Sequence, residues 1–126
     1  MTSLLNLSLI LIVSLFAVHE MDAMTHAEWR LLPVLSGLPN EQARQVFLWL
    51  HIPLFAGMIW ALFLASWKRV AAQIVCAALI IHAAAHFLLS GHDLYTFSAP
   101  IETITVYGAA LISALYLFLS FRGTSE

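Results

Sequence analysis

The sequence predicts an all-α integral membrane protein: a four-helix bundle threaded up-down-up-down, with a polar interfacial segment between the first and second helices. Three observations lead there. Of the 126 residues, 62% are hydrophobic and only 10% charged, and the mean hydropathy is +0.92; a soluble domain of this size needs a polar skin that this composition cannot supply. The apolar residues gather into four nearly uncharged runs, each close to the ~20 residues that carry a helix across the hydrocarbon core. The runs are continuous and not alternating, and four of them cannot close a β-barrel. Residues 1–126 therefore read as a single transmembrane domain in a lipid bilayer. Five Lys and Arg against seven Asp and Glu make no basic stripe for phosphates, which excludes nucleic acid as a partner.

The first span covers about 3–19, is closed by His19 and Glu20, and continues as helix into the polar stretch beyond. It lacks a basic leading region and a small-x-small cleavage site, so it reads as a retained helix and not a signal peptide. Residues 20–44 carry half of the charged residues, with Trp29 at the interface and Pro33, Gly37 and Pro39 breaking regular structure. Asn40 reads as the N-cap of the second helix, with Glu41 near its positive end. The second span, 46–67, is closed by Lys68 and Arg69, which leave room only for a tight turn into an antiparallel third span, 70–90, stopped at Gly91. The fourth, 102–121, opens at Glu102 and ends at Arg122.

Four spans put both termini on one side with Lys68, Arg69 and Arg122, and leave Arg30 and Arg44 on the other. The positive-inside rule then favours cytoplasmic termini, in a bacterial inner membrane. Cys76 lies in an apolar run and reads as a small hydrophobe. Gly57, Ala61 and Ala65, and Ala110 and Ala114, recur every four residues and suit close helix approach. Trp49, Trp60 and Trp67 read as packing and interfacial residues.

Six histidines in so apolar a chain are the main functional clue, because each imidazole brings two nitrogens that need partners where water is scarce. Antiparallel threading brings His19, Glu20, His51, His82, His86, His92, Asp93 and Glu102 to one membrane face. His82 and His86 are four residues apart, so both rings project from one helical face and can take adjacent positions on one metal ion. His19, Asp22 and His26 share a face of the first helix; Glu20 and Glu28 share another, where either can act as base or as support to a ligand. His26, Glu28 and Arg30 also suit a solvated interfacial face, the better reading for His26, and His92 with Asp93 also suits a helix cap. Pro53 frees the carbonyl of Trp49 from its helical donor, so hydrogen bonding of His51 to that backbone competes evenly with ligation.

These landmarks, His19-Glu20-Met21-Asp22-Ala23, Glu28-Trp29-Arg30, His51-Ile52-Pro53-Leu54, His82 with His86, and Gly91-His92, resemble an uncharacterised bacterial family of short four-span membrane proteins, a domain of unknown function. The resemblance spans nearly the whole chain. The chain is also loosely similar to the HXXEE-motif membrane proteins, which are suspected to be enzymes; Glu20-Met21-Asp22 stands where that motif has paired glutamates.

The residues support three functions. The leading one is an intramembrane metal site with His19, His82 and His86 as ligands, Asp22 or His92 completing the shell, and Glu20 as general base. Zinc would suit a hydrolase acting on a lipid-like ester or amide, and iron an oxidoreductase. The second is a b-type haem protein with His51 and His86 as axial ligands and Ala83–Ala85 leaving room for the porphyrin. The third is a non-catalytic accessory subunit of a larger membrane complex, with homodimerisation a further option.

Overall fold

The computed structural model describes residues 2–122. Four helices run through them: α1 (Thr2–Thr25), α2 (Asn40–Phe63), α3 (Lys68–Leu89) and α4 (Pro100–Arg122), with a 3-10 turn at Glu28–Arg30. Each offers a span of 22 to 24 residues, long and apolar enough to cross a membrane. At ~1.5 Å of rise per residue that matches a hydrocarbon core ~30 Å thick. The fold is thus a four-helix membrane bundle. Leu7, Ile10, Trp49, Ile52, Ile74, Ile81, Leu111 and Leu115 are each more than half exposed, an outward apolar surface suited to lipid.

Within the bundle α4 lies against both α1 and α3, while α2 packs on α3 and on the 3-10 turn. Two apolar clusters fill the interior. One gathers Leu9, Ile12, Phe16, Met58, Leu62, Ala72, Cys76, Leu79 and Tyr116; the other, nearer the polar face, gathers Ala23, Trp29, Leu35, Ala43, Phe47 and Phe97. On α1 the first cluster ends at Phe16 and the second begins at Ala23. His19, 1% exposed, sits between them, so a polar layer separates two apolar ones.

Several boundaries move from those read in the sequence. α2 begins at Asn40, six residues before the apolar run, because the polar stretch 40–45 is itself helical: Arg44 donates to both carboxylate oxygens of Glu41 at 3.0 and 2.6 Å, and Gln45 donates to Glu41 at 3.2 Å. Asn40 is the first helical residue and does not cap α2; its side-chain oxygen instead accepts from Trp29 Nε1 at 3.0 Å. Lys68 and Arg69 open α3 and do not close α2, whose last turn ends where the amides of Leu64 and Ala65 both reach the Trp60 carbonyl at 2.9 and 3.0 Å. Arg69 donates to the Ser120 carbonyl, tying α3 to the end of α4. α4 starts at Pro100, where a missing N–H costs nothing, and Glu102 accepts the Ala99 amide at 2.5 Å as the reaching-back half of a capping box.

Candidate metal centre

α1 continues past its apolar run to Thr25, which carries His19, Glu20 and Asp22 on a rigid element. It ends because Ala27 takes a left-handed conformation, φ 51° and ψ 47°, among the described residues the only positive-φ position. The next residues close into the 3-10 turn and fold Glu28 back into the bundle, 6% exposed. On an uninterrupted helix of 3.6 residues per turn, Glu28 would stand about two and a half turns beyond His19 and face the opposite way.

His19, Glu28, His82 and His86 come together in the polar layer, each offering a ligand atom within 4.8 Å of all the others. His19 Nε2 lies 2.9 Å from His82 Nε2 and 3.5 Å from Glu28 Oε2, and His86 Nε2 lies 3.8 Å from Glu28 Oε1. The three imidazoles meet edge-on, with ring centroids 4.7 to 5.0 Å apart. His86 Nδ1 points away from the cluster, to the Tyr95 hydroxyl at 3.1 Å. Two buried polar atoms, His19 Nδ1 and Glu28 Oε2, have no hydrogen-bond partner in the protein, an expensive condition in an apolar interior.

The electrostatics of the turn follow from this packing. Burial pushes the Glu28 carboxyl up, but the imidazoles of His86, His19 and His82 facing it push it down by more and hold it below the ordinary carboxylate range. Tyr95 is pushed up to about 12 by burial and by the neighbouring Tyr107, Glu102 and Glu28, so at neutral pH it is a phenol. A cavity of about 50 Å³ opens beside Glu28, His82 and His86, with Leu31, Leu32 and Leu89 in its wall. It has room for a water or a small reacting group.

The other candidates divide between two neighbouring arrangements. Glu20 Oε2 lies 2.6 Å from His51 Nε2, and His51 Nδ1 lies 2.6 Å from the Phe47 carbonyl oxygen. The backbone partner of His51 is therefore Phe47 and not the carbonyl of Trp49. Both nitrogens of His51 are engaged, and nothing in this arrangement favours haem between His51 and His86. Asp22 lies outside the His19 cluster, grouped with His26 and Glu102. His26 Nε2 is 2.7 Å from Glu102 Oε1 and 3.7 Å from Asp22 Oδ2, and its Nδ1 is 2.7 Å from the Thr96 hydroxyl. His92 is exposed, and its Nδ1 accepts the Leu94 amide at 3.1 Å, closing the turn after α3.

The structure thus brings His19, His82 and His86 together and places Glu28, not Asp22 or His92, beside them. The sequence by itself suggests Glu28 as a base, a support to a ligand or part of a solvated face, and gives Tyr95, Thr96 and Glu102 no ligand-related role. The one signal for Glu28 was a carboxylate among the few acidic residues at the histidine-bearing face.

Compared with known proteins, residues 5–123 match a family of unknown function, DUF6713. No curated protein and no solved structure gives a significant match.

Proposed function

We propose that this chain, which belongs to the DUF6713 family of unknown function, binds a divalent transition-metal ion through His19, His82, His86 and Glu28 and uses it in a reaction on a lipid-like substrate. The observation that carries this reading is the convergence of three imidazole nitrogens and one carboxylate, drawn from α1, the 3-10 turn and α3, within 4.8 Å of one another. Metal–nitrogen bonds of ~2.0–2.1 Å in a tetrahedral site require ligand atoms only slightly over ~3 Å apart, and the contacts of 2.9 to 3.8 Å bracket that spacing. The donor set, three nitrogens and an oxygen, suits zinc or ferrous iron.

Ligation also satisfies part of the site's polar groups, although it leaves His19 Nδ1 without a partner. Nε2 of His19 and of His82 face each other at 2.9 Å, and a cation between them takes both lone pairs. Glu28 Oε2, buried without a partner, gains one. With its Nδ1–H donated to the Tyr95 oxygen, His86 presents the Nε2 lone pair inward, the arrangement by which outer partners orient ligand histidines. When bound, zinc would activate water or polarise a carbonyl, and iron would supply oxidation chemistry. We assign Glu20 to proton transfer, with His51 holding its carboxylate in place at 2.6 Å. The adjoining cavity has room only for a small reacting group, and its leucine wall suits one carried by an apolar substrate from the bilayer.

The test is elemental analysis with an absorption spectrum on detergent-purified protein and on the His82→Ala/His86→Ala variant. Zinc or iron that falls by about one equivalent in the variant is the expected result. Wild-type protein that carries neither metal after mild extraction and takes up none on titration would overturn the reading, and a Soret band lost in the variant would replace it with haem.

A further inference from the structure

The polar face holds a second group of ligand-type side chains that the proposed centre does not use. Asp22 comes from α1, His26 from the turn that ends it, and Glu102 from the first turn of α4. Their ligand atoms also lie within 4.8 Å of one another. Two carboxylates face one nitrogen here: His26 Nε2 is 2.7 Å from Glu102 Oε1 and 3.7 Å from Asp22 Oδ2. An imidazole nitrogen carries at most one hydrogen, and the short contact to Glu102 takes it. Asp22 Oδ2 is left buried with no hydrogen-bond partner, and two carboxylates in a part-buried site repel each other.

We propose that Asp22, His26 and Glu102 form a second divalent-metal site, distinct from the cluster around His19. A cation placed among the three atoms would neutralise the paired carboxylates and give Asp22 Oδ2 its missing partner. The surroundings fit the role. His26 Nδ1 is held by the Thr96 hydroxyl at 2.7 Å, which fixes the ring with Nε2 turned towards the carboxylates. The second oxygen of Glu102 accepts the Ala99 amide at 2.5 Å, so the carboxylate is oriented from both ends. One nitrogen and two oxygens make a harder donor set than that around His19, suited to Mn²⁺ or Fe²⁺ as well as Zn²⁺. The Asp22 side chain is 28% exposed, which gives water a route to the site although Oδ2 itself is buried.

The two sites are neighbours without being a bridged pair. The Phe97 ring contacts both His19, with centroids 5.8 Å apart, and His26, at 4.5 Å. Bridged two-metal centres hold their ions ~3.5–4 Å apart on shared ligands, and these two clusters share no residue. Loading of one can therefore be lost without the other.

The experiment is metal titration of the stripped, detergent-solubilised full chain with Zn²⁺ and, separately, Mn²⁺, with bound metal counted after gel filtration. Wild type should take up about two equivalents of Zn²⁺, and His26→Ala/Glu102→Gln about one, its remaining metal reporting that the fold is intact. His82→Ala/His86→Ala should keep the Asp22 site and still bind about one equivalent of Mn²⁺. If the His26→Ala/Glu102→Gln variant loses all metal, Asp22→Asn, which preserves shape, decides: loss of about one equivalent supports the site and full retention overturns it. Wild-type uptake of a single equivalent, abolished by His82→Ala/His86→Ala, would also overturn it. Metal that is unaffected by His82→Ala/His86→Ala but lost with His26→Ala/Glu102→Gln would support this site while removing the one around His19.

Discussion

Glu20 and His51, thirty-one positions apart in sequence, are joined through Oε2 and Nε2 at 2.6 Å, while the other nitrogen of the ring meets the Phe47 carbonyl at the same distance. A carbonyl can only accept, so Nδ1 carries a hydrogen, and a single proton bridges the imidazole and the carboxylate. Replacing His51 by an apolar residue strands the Glu20 carboxylate, 10% exposed, and replacing Glu20 leaves His51 Nε2 without its partner. His51→Leu should lower the thermal unfolding midpoint in detergent, at a cost of about 1–3 kcal/mol. Glu20→Gln, which can still bond the ring, should lose less. No loss from either His51→Leu or Glu20→Leu would show that the bridge contributes nothing.

The contact between Tyr95 and His86 predicts an effect on metal affinity without an effect on ligand count. Tyr95→Phe removes the oxygen that orients His86, and losing such a partner costs roughly 10–100-fold in affinity. Competition with a chromophoric chelator reads this directly. Stoichiometry should be unchanged, and an affinity equal to wild type would assign the tyrosine to packing alone.

Stability should fall in acid in a way that depends on Glu28. Its carboxyl is held below the ordinary value of 4.5 in the folded protein, so it favours the fold above that value and the contribution disappears as pH falls through the lowered one. Melting temperatures of wild type and Glu28→Gln, followed downward from about pH 6, should converge below 4.5. Parallel curves across that window would show that the imidazoles facing Glu28 do not hold its carboxyl down.

Ala27 occupies the left-handed region at φ 51°, where a side chain with a Cβ is strained and glycine is not. Ala27→Gly should be neutral or stabilising by up to about 1 kcal/mol. Ala27→Val should destabilise and, by displacing the turn, weaken metal binding. Tight binding retained in Ala27→Val would mean that Glu28 reaches the site by another route.

That the chain folds into four helices, each long and apolar enough to span a membrane, was legible because the hydrocarbon thickness acts on every residue of a helix, and the absence of charge over 46–67 or 70–90 is a long, redundant signal. The i, i+4 spacing of His82 and His86 was legible for a similar reason, being set within one helix. Glu28 was not. Its position depends on the left-handed step at Ala27, a residue that shows no sequence preference for that conformation, where glycine or asparagine would have announced it. Asn40 misled in the opposite direction: its side chain suits a cap, but the tertiary contact with Trp29 claims the oxygen first. Helix ends strayed by up to six residues because apolar runs report burial in lipid, whereas α2 extends through a polar stretch knitted by Glu41, Arg44 and Gln45.

The polar layer at His19, between the clusters of Phe16 and Ala23, has a mechanical meaning as well. Helices greasy on every side slide past one another in lipid with little to choose between offsets, since one leucine replaces another. Three imidazoles and a carboxylate that must meet at one height remove that freedom, because a slip of one turn would strand each of them in hydrocarbon. The same residues that invite an ion thus serve as a depth gauge, telling α1 and α3 how far each has to be threaded before the bundle locks.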